Sequence, residues 1–115
     1  MIIMRIAMKV LMEKRTEMMQ TLLSMVEAAG MEKGCLSYDV FSNIEGKTGF
    51  NLIEEWETRE DLDRHIRSDR FSVLLGTKSL LSQPLGINIH TVSHSEGVEV
   101  VKALRAIGEP LKKKF

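Results

Sequence analysis

The sequence predicts an α+β domain in which helices cover one face of an antiparallel sheet. Three observations carry this. Ile2, Met4, Ile6, Met8 and Val10 are apolar at every second position, the period of a half-buried strand. From Glu13 the period becomes helical, with Met18, Leu22, Met25, Val26 and Ala29 on one stripe. Two runs rich in β-formers, 35–41 and 50–57, then flank a loop containing Gly46, Gly49 and Asn43, the mark of a hairpin.

The remaining elements come in order along the chain. Gly30 stops the first helix. After the hairpin, Thr58 with Asp61 three residues later resembles a capping box, and Leu62 and Ile66 make a narrow apolar stripe. A second helical piece starts near Asp69 and carries Phe71, Val73, Leu74 and Leu75; Gly76 kinks or ends it and Pro84 closes the segment. Gly86 opens a last strand over 87–95. Residues 98–107 have the spacing of an appended amphipathic helix, ended by Gly108 and Pro110. The order is β-α-β-β-α-β, the ferredoxin-like arrangement, over 1–95, with a C-terminal helix and basic tail over 96–115.

Composition narrows the class of function. A length of 115 residues predicts one domain, and 43% apolar with 28% charged residues is globular. Sixteen basic and sixteen acidic side chains cancel, so no global field steers the chain toward nucleic acid or an anionic membrane. Lys112, Lys113 and Lys114 read as a solvated tail. A single cysteine, Cys35, allows no intrachain disulfide and fits a reducing, cytoplasmic setting. The N-terminal apolar stretch is broken by Arg5 and Lys9 and does not read as a signal peptide, and no run is long enough to span a bilayer. Both sheet faces carry apolar residues, Ile3, Ala7 and Ile53 lying opposite the main core set, which predicts cover by a second subunit packed sheet to sheet, a homodimer.

The candidate site lies in Leu52-Ile53-Glu54-Glu55-Trp56, which runs into Thr58-Arg59-Glu60-Asp61-Leu62 and then His65. His65 is three residues after Leu62 and one before Ile66, so it borders the buried stripe. Asp61 and Asp69, four residues to either side, are the carboxylates expected to fix its tautomer. A histidine so held can take the proton of a phenolic hydroxyl, leaving an electron-rich anion able to reduce oxygen in a dry apolar pocket. The competing reading is a half-buried histidine that caps a helix. Trp56 would be a pocket wall or core filler; Tyr38, Phe71 and Leu52 are candidate substrate contacts with equally ordinary structural readings. Glu54 and Glu55 face opposite ways on a strand, and the buried one needs a partner, for which Arg5 is a candidate. His90 and His94 on a strand would stand about 13 Å apart, too far for one ion, and Cys35 packs as a small apolar residue. No metal and no cofactor are expected.

Glu32-Lys33-Gly34-Cys35-Leu36-Ser37-Tyr38, the run from Leu52 to His65, and Ser68 to Phe71 resemble the antibiotic biosynthesis monooxygenase superfamily over roughly residues 2–95. The family's acidic-Pro-Gly-Cys opening departs here at Lys33. The resemblance implies a dimeric α/β barrel, with Trp56 and His65 as the transferable pocket residues. It also implies one of several activities: oxygenases that use neither metal nor flavin on polycyclic phenols or quinols, haem degradation, or isomerisation of small phosphorylated sugars. The haem-degrading branch uses an Asn on the first strand, and none occurs in 3–10. The leading expectation is a homodimeric, cofactor-independent monooxygenase acting on a quinol-like aromatic and molecular oxygen. The rivals are a non-catalytic small-molecule binding or sensory module, and an isomerase whose pocket would hold several basic side chains. For the isomerase, Arg5, Arg64 and Arg67 are the nearest candidates.

Overall fold

The computed structural model describes residues 1–108. Strand β1 (Ile2–Lys9) leads through a 3-10 turn into helix α1 (Arg15–Ala29). Strands β2 (Cys35–Ser42) and β3 (Gly49–Trp56) form the hairpin. Helices α2 (Arg59–Ile66) and α3 (Asp69–Leu75) come next, then a 3-10 turn, strand β4 (Gly86–Thr91) and helix α4 (Val98–Gly108). The sheet order is β2-β3-β1-β4 with every neighbouring pair antiparallel, the ferredoxin-like topology.

Register fixes what each face carries. Ile2, Met4, Ile6 and Met8 lie opposite Trp56, Glu54, Leu52 and Phe50, and Tyr38 and Val40 lie opposite Glu54 and Leu52 on the other side of β3. These positions share the helix-covered face. Met18, Leu22, Met25 and Ala29 of α1, Leu62 of α2 and Phe71 and Leu74 of α3 close over them. Arg5, Ala7 and Lys9 point the other way and are exposed.

One boundary differs from the sequence reading. The last strand stops at Thr91 and not at Ser95, because its partner runs out: Thr91 faces Ile2, and the Val92 N–H donates to the Met1 carbonyl at 3.0 Å. The two helical pieces after the hairpin are separated at Ser68, which caps α3 by accepting from the Phe71 N–H at 3.2 Å. Thr58 caps α2 as expected, accepting from the Asp61 N–H at 3.2 Å and donating to the Asp61 carboxylate at 2.9 Å. Pro110 and the three-lysine tail lie outside the described residues.

Gly34 ties the loop after α1 to the start of α2. Its φ is +83°, a Cβ there would strike the Asp61 carboxylate, and its carbonyl accepts from the Glu57 N–H at 2.8 Å. Only glycine satisfies both demands. Gly34→Ala is therefore expected to cost at least about 2 kcal/mol through backbone strain and the collision. Denaturant unfolding monitored by Trp56 fluorescence checks it, and an unchanged midpoint would show the loop free to rearrange.

Candidate functional site

Strand β3 alternates Phe50, Leu52, Glu54 and Trp56 into the core, so a carboxylic acid is sunk in an apolar layer with no exposed surface. Its Oε1 accepts from the Trp56 indole N–H at 2.9 Å and lies 3.4 Å from His65 Nε2. Glu54 Oε2 and His65 Nε2 have no hydrogen-bond partner among protein atoms. On its other side His65 Nδ1 is 2.7 Å from Glu32 Oε2, and Glu32 Oε1 accepts from Arg70 at 3.1 Å. Glu32 belongs to the loop between α1 and β2, which the Gly34 contact holds in place. The result is a chain of groups running inward from solvent: Arg70, Glu32, His65, Glu54, Trp56.

Aromatic rings enclose the imidazole. Trp56 packs against it at a 30° tilt with centroids 4.7 Å apart, and Phe71 and Tyr38 meet it edge-on at 5.6 and 6.0 Å. The structure thus brings together four of the five residues singled out in the sequence. Leu52, the fifth, is fully buried two positions along β3 from Glu54. Trp56 is also completely covered, and Tyr38 nearly so.

Three expectations are corrected by the geometry. Asp61 does not hold His65, because it is already engaged by Thr58 and by the Arg64 guanidinium at 2.9 Å. Asp69 does not hold it either, and the carboxylate at Nδ1 is Glu32, 33 residues away in sequence. Arg5 cannot serve Glu54, since it pairs with Ile53 and so lies on the opposite face of the sheet. The open space beside His65 is a depression of about 350 Å³ lined by Glu32, Lys33, Asp61, Arg64, His65, Ser68, Asp69 and Arg70. It is charged, not the apolar pocket expected. An apolar niche of about 170 Å³ lies elsewhere, over Met19, Leu22, Leu23, Val40 and Phe50.

The electrostatics follow from burial. Loss of hydration pushes the Glu54 carboxyl up to about 7; the indole N–H opposes this and the nearby Glu32 charge adds to it. Tyr38 and Cys35 are raised for the same first reason, with Glu54 and Glu32 adding. Asp61 is held below the usual carboxylate range by its bonds to Arg64 and Thr58. Around neutral pH a proton on Glu54 can meet the His65 Nε2 lone pair when Glu32 accepts from Nδ1–H. A proton on Glu54 lowers the cost of burying its carboxyl beside the unpartnered Nε2. Among the described residues no group of three His, Cys, Asp or Glu could hold a metal ion.

A carboxyl whose folded pKa lies above its unfolded value favours the native state most in acid. Stability from Glu54 is fully present below about 4.5, falls as pH rises toward 7, and is level above that. The loss amounts to roughly 3 kcal/mol. Glu54→Gln keeps an acceptor for Trp56 and removes the titration. Urea unfolding between pH 5 and 8 is expected to show a falling difference, wild type minus variant; a constant difference would contradict the buried, proton-binding carboxyl.

Comparisons with known proteins bear on the fold and the family. The fold is shared with a conserved protein from Methanosarcina mazei Go1, which is 32% identical with a TM-score of 0.73 over 77% of this chain and 89% of that one. It is shared with Rv0793 from Mycobacterium tuberculosis, 21% identical, TM-score 0.76, 84% and 98% covered. It is shared again with a protein from Deinococcus radiodurans described as a candidate antibiotic biosynthesis monooxygenase, 20% identical, TM-score 0.79, 84% and 97% covered. A search of curated proteins finds no match. The model of the family described as antibiotic biosynthesis monooxygenase matches residues 1–74, which hold β1 through most of α3 and every member of the Glu32–His65–Glu54 chain. This chain belongs to the antibiotic biosynthesis monooxygenase family.

Proposed function

We propose that the protein is a cofactor-independent monooxygenase of small phenolic or quinol-like molecules, acting as a homodimer. The observation that carries the reading is an imidazole held by a carboxylate at Nδ1 and packed against an indole, beside a depression lined by Lys33, Arg64 and Arg70 together with Glu32, Asp61 and Asp69. Deprotonation of a phenol is the step that such a site assists. The Glu32–His65 pair takes the hydroxyl proton, and Lys33 is the lining cation that would lower the energy of the phenolate left behind, Arg64 and Arg70 being paired with Asp61 and Glu32. A phenolate gives one electron to oxygen; the resulting radical and superoxide combine at carbon, and loss of water leaves a hydroxyquinone. A quinol and one oxygen molecule thus become one hydroxyquinone and one water, with no other reductant. The Glu32–His65 pair is entered at Glu32, the group that meets the depression, with His65 hydrogen-bonded behind it, and Trp56 is the indole that packs against the imidazole; Tyr38 and Phe71 clamp the ring edges, and Leu52 completes the apolar backing. A reducing, cytoplasmic setting suits both the quinol and the single cysteine.

The charged lining favours a second reading. Lys33, Arg64 and Arg70 line the depression, in place of Arg5 and Arg67, as basic side chains that an isomerase of a small anionic substrate would use, beside Glu32, Asp61 and Asp69. The same His65 would then move a proton between carbon and oxygen. A binding module without turnover would show a ligand-dependent rise in melting temperature and no product.

Oxygen uptake with reduced naphthoquinones separates these readings. Wild type is expected to exceed the protein-free autoxidation rate, and His65→Ala to lose that excess by 100-fold or more, roughly the contribution of one general base. Uptake no faster than autoxidation would remove the oxygenase reading. Uptake unchanged in His65→Ala would remove the histidine from the chemistry.

A further inference from the structure

The helical layer stops one strand short. Met4 and Ile6 on β1 are completely covered, but their partners across the ladder, Ile89 and Ile87 on β4, are 36% and 41% exposed on that same face. Thr91, next along the face, is exposed too. A strip of six residues, about 20 Å long, therefore carries apolar side chains where a helix would continue the layer.

A helix of matching length stands unused at the end of the same chain. At 100° per residue, Val100, Val101, Ala103, Leu104 and Ile107 of α4 fall on one side, and Glu99, Lys102 and Arg105 on the other. Its 11 residues span about 16 Å. That apolar side is bare: Val101, Leu104 and Ile107 are 36%, 64% and 80% exposed. The chain reaches α4 through 92–97 without folding it back over β4. The radius of gyration is 17.7 Å, against about 13 Å for a compact chain of this length. The relatives above are matched almost end to end by about four-fifths of this chain, so the excess is of the size of α4 together with the C-terminal tail.

We infer that α4 is an exchanged arm: the Val101–Leu104–Ile107 face of each copy seats on the Ile87–Ile89 strip of β4 in a second copy. Two-fold symmetry makes the contact reciprocal, so two helix faces and two strand strips are covered at once. One such contact is small beside the roughly 800 Å² per partner that a stable interface buries, and the doubling brings it toward that size. A formal net charge of zero leaves no long-range repulsion to oppose the pairing. The arm is separate from the His65 site, and its failure would leave the proposed chemistry untouched.

Paired cysteines test the contact on the full-length chain. Ile89→Cys protein is mixed with Leu104→Cys protein under mild oxidant, with wild type, which carries only the half-buried Cys35, as the blank. Disulfide-linked heterodimers absent from the blank are expected. In parallel, sedimentation of Leu104→Glu, an exposed position whose change leaves the core intact, is expected to show at least a tenfold rise in the dimer dissociation constant with an unchanged far-ultraviolet spectrum. No heterodimer link would overturn the exchange. So would a link formed within single chains of the Ile89→Cys/Leu104→Cys double variant at high dilution, which would place each α4 on its own β4. An unaltered dissociation constant in Leu104→Glu would equally overturn it.

Discussion

A carboxylic acid on the inward face of a central strand is the constraint around which this protein is arranged. Glu54 lies between Leu52 and Trp56 on a strand whose neighbours on both sides supply apolar residues to the same layer. Burying its charge alone would cost several kcal/mol, so the surroundings must donate to it or keep it protonated. Trp56, two residues along the same face, offers its indole N–H, and α2 brings His65 within reach. Histidine in turn needs a partner at Nδ1, and the loop after α1 provides Glu32. Gly34 is glycine because that loop must pass close against Asp61 to place Glu32 there. The polar thread from Arg70 to Trp56 is thus a series of obligations, each created by the one before it.

That series also explains how His65 is held. The ring is almost sealed by Trp56, Tyr38 and Phe71, which fixes its orientation without spending a flexible loop on it. Only the Glu32 side meets the open depression. The apolar layer holds the imidazole and the charged depression lies beside it, an arrangement that depends on a 33-residue separation in sequence being closed by the α1–β2 loop.

Much of this is legible in the sequence. Strand alternation in 2–10, the stripe from Met18 to Ala29 and the hairpin glycines determine the topology through local periodicity. Trp56 and His65 stand out as a pair because a strand feeding a capped helix returns the helix's inner face to the strand's end, and that same geometry gathers Tyr38 and Phe71. What escapes a sequence reading is the set of partners. Helical spacing around His65 favours Asp61 and Asp69, but Thr58 and Arg64 claim Asp61 locally, and no local rule points to a loop carboxylate on the far side of the hairpin. Glu54 has a visible signal in the alternation Leu52-x-Glu54-x-Trp56, which places it inward. Arg5 is excluded by register, and register is set by pairing across strands, not by either strand alone.

The central claim is that His65 is held as one tautomer between Glu32 and Glu54. A long-range proton–nitrogen NMR spectrum of the histidine ring tests it most directly near neutral pH. The account predicts a slowly exchanging proton on Nδ1, bonded to Glu32 and lost to fast exchange in Glu32→Gln. A ring protonated on Nε2 alone, or one whose N–H protons exchange freely in the wild-type protein, would contradict it.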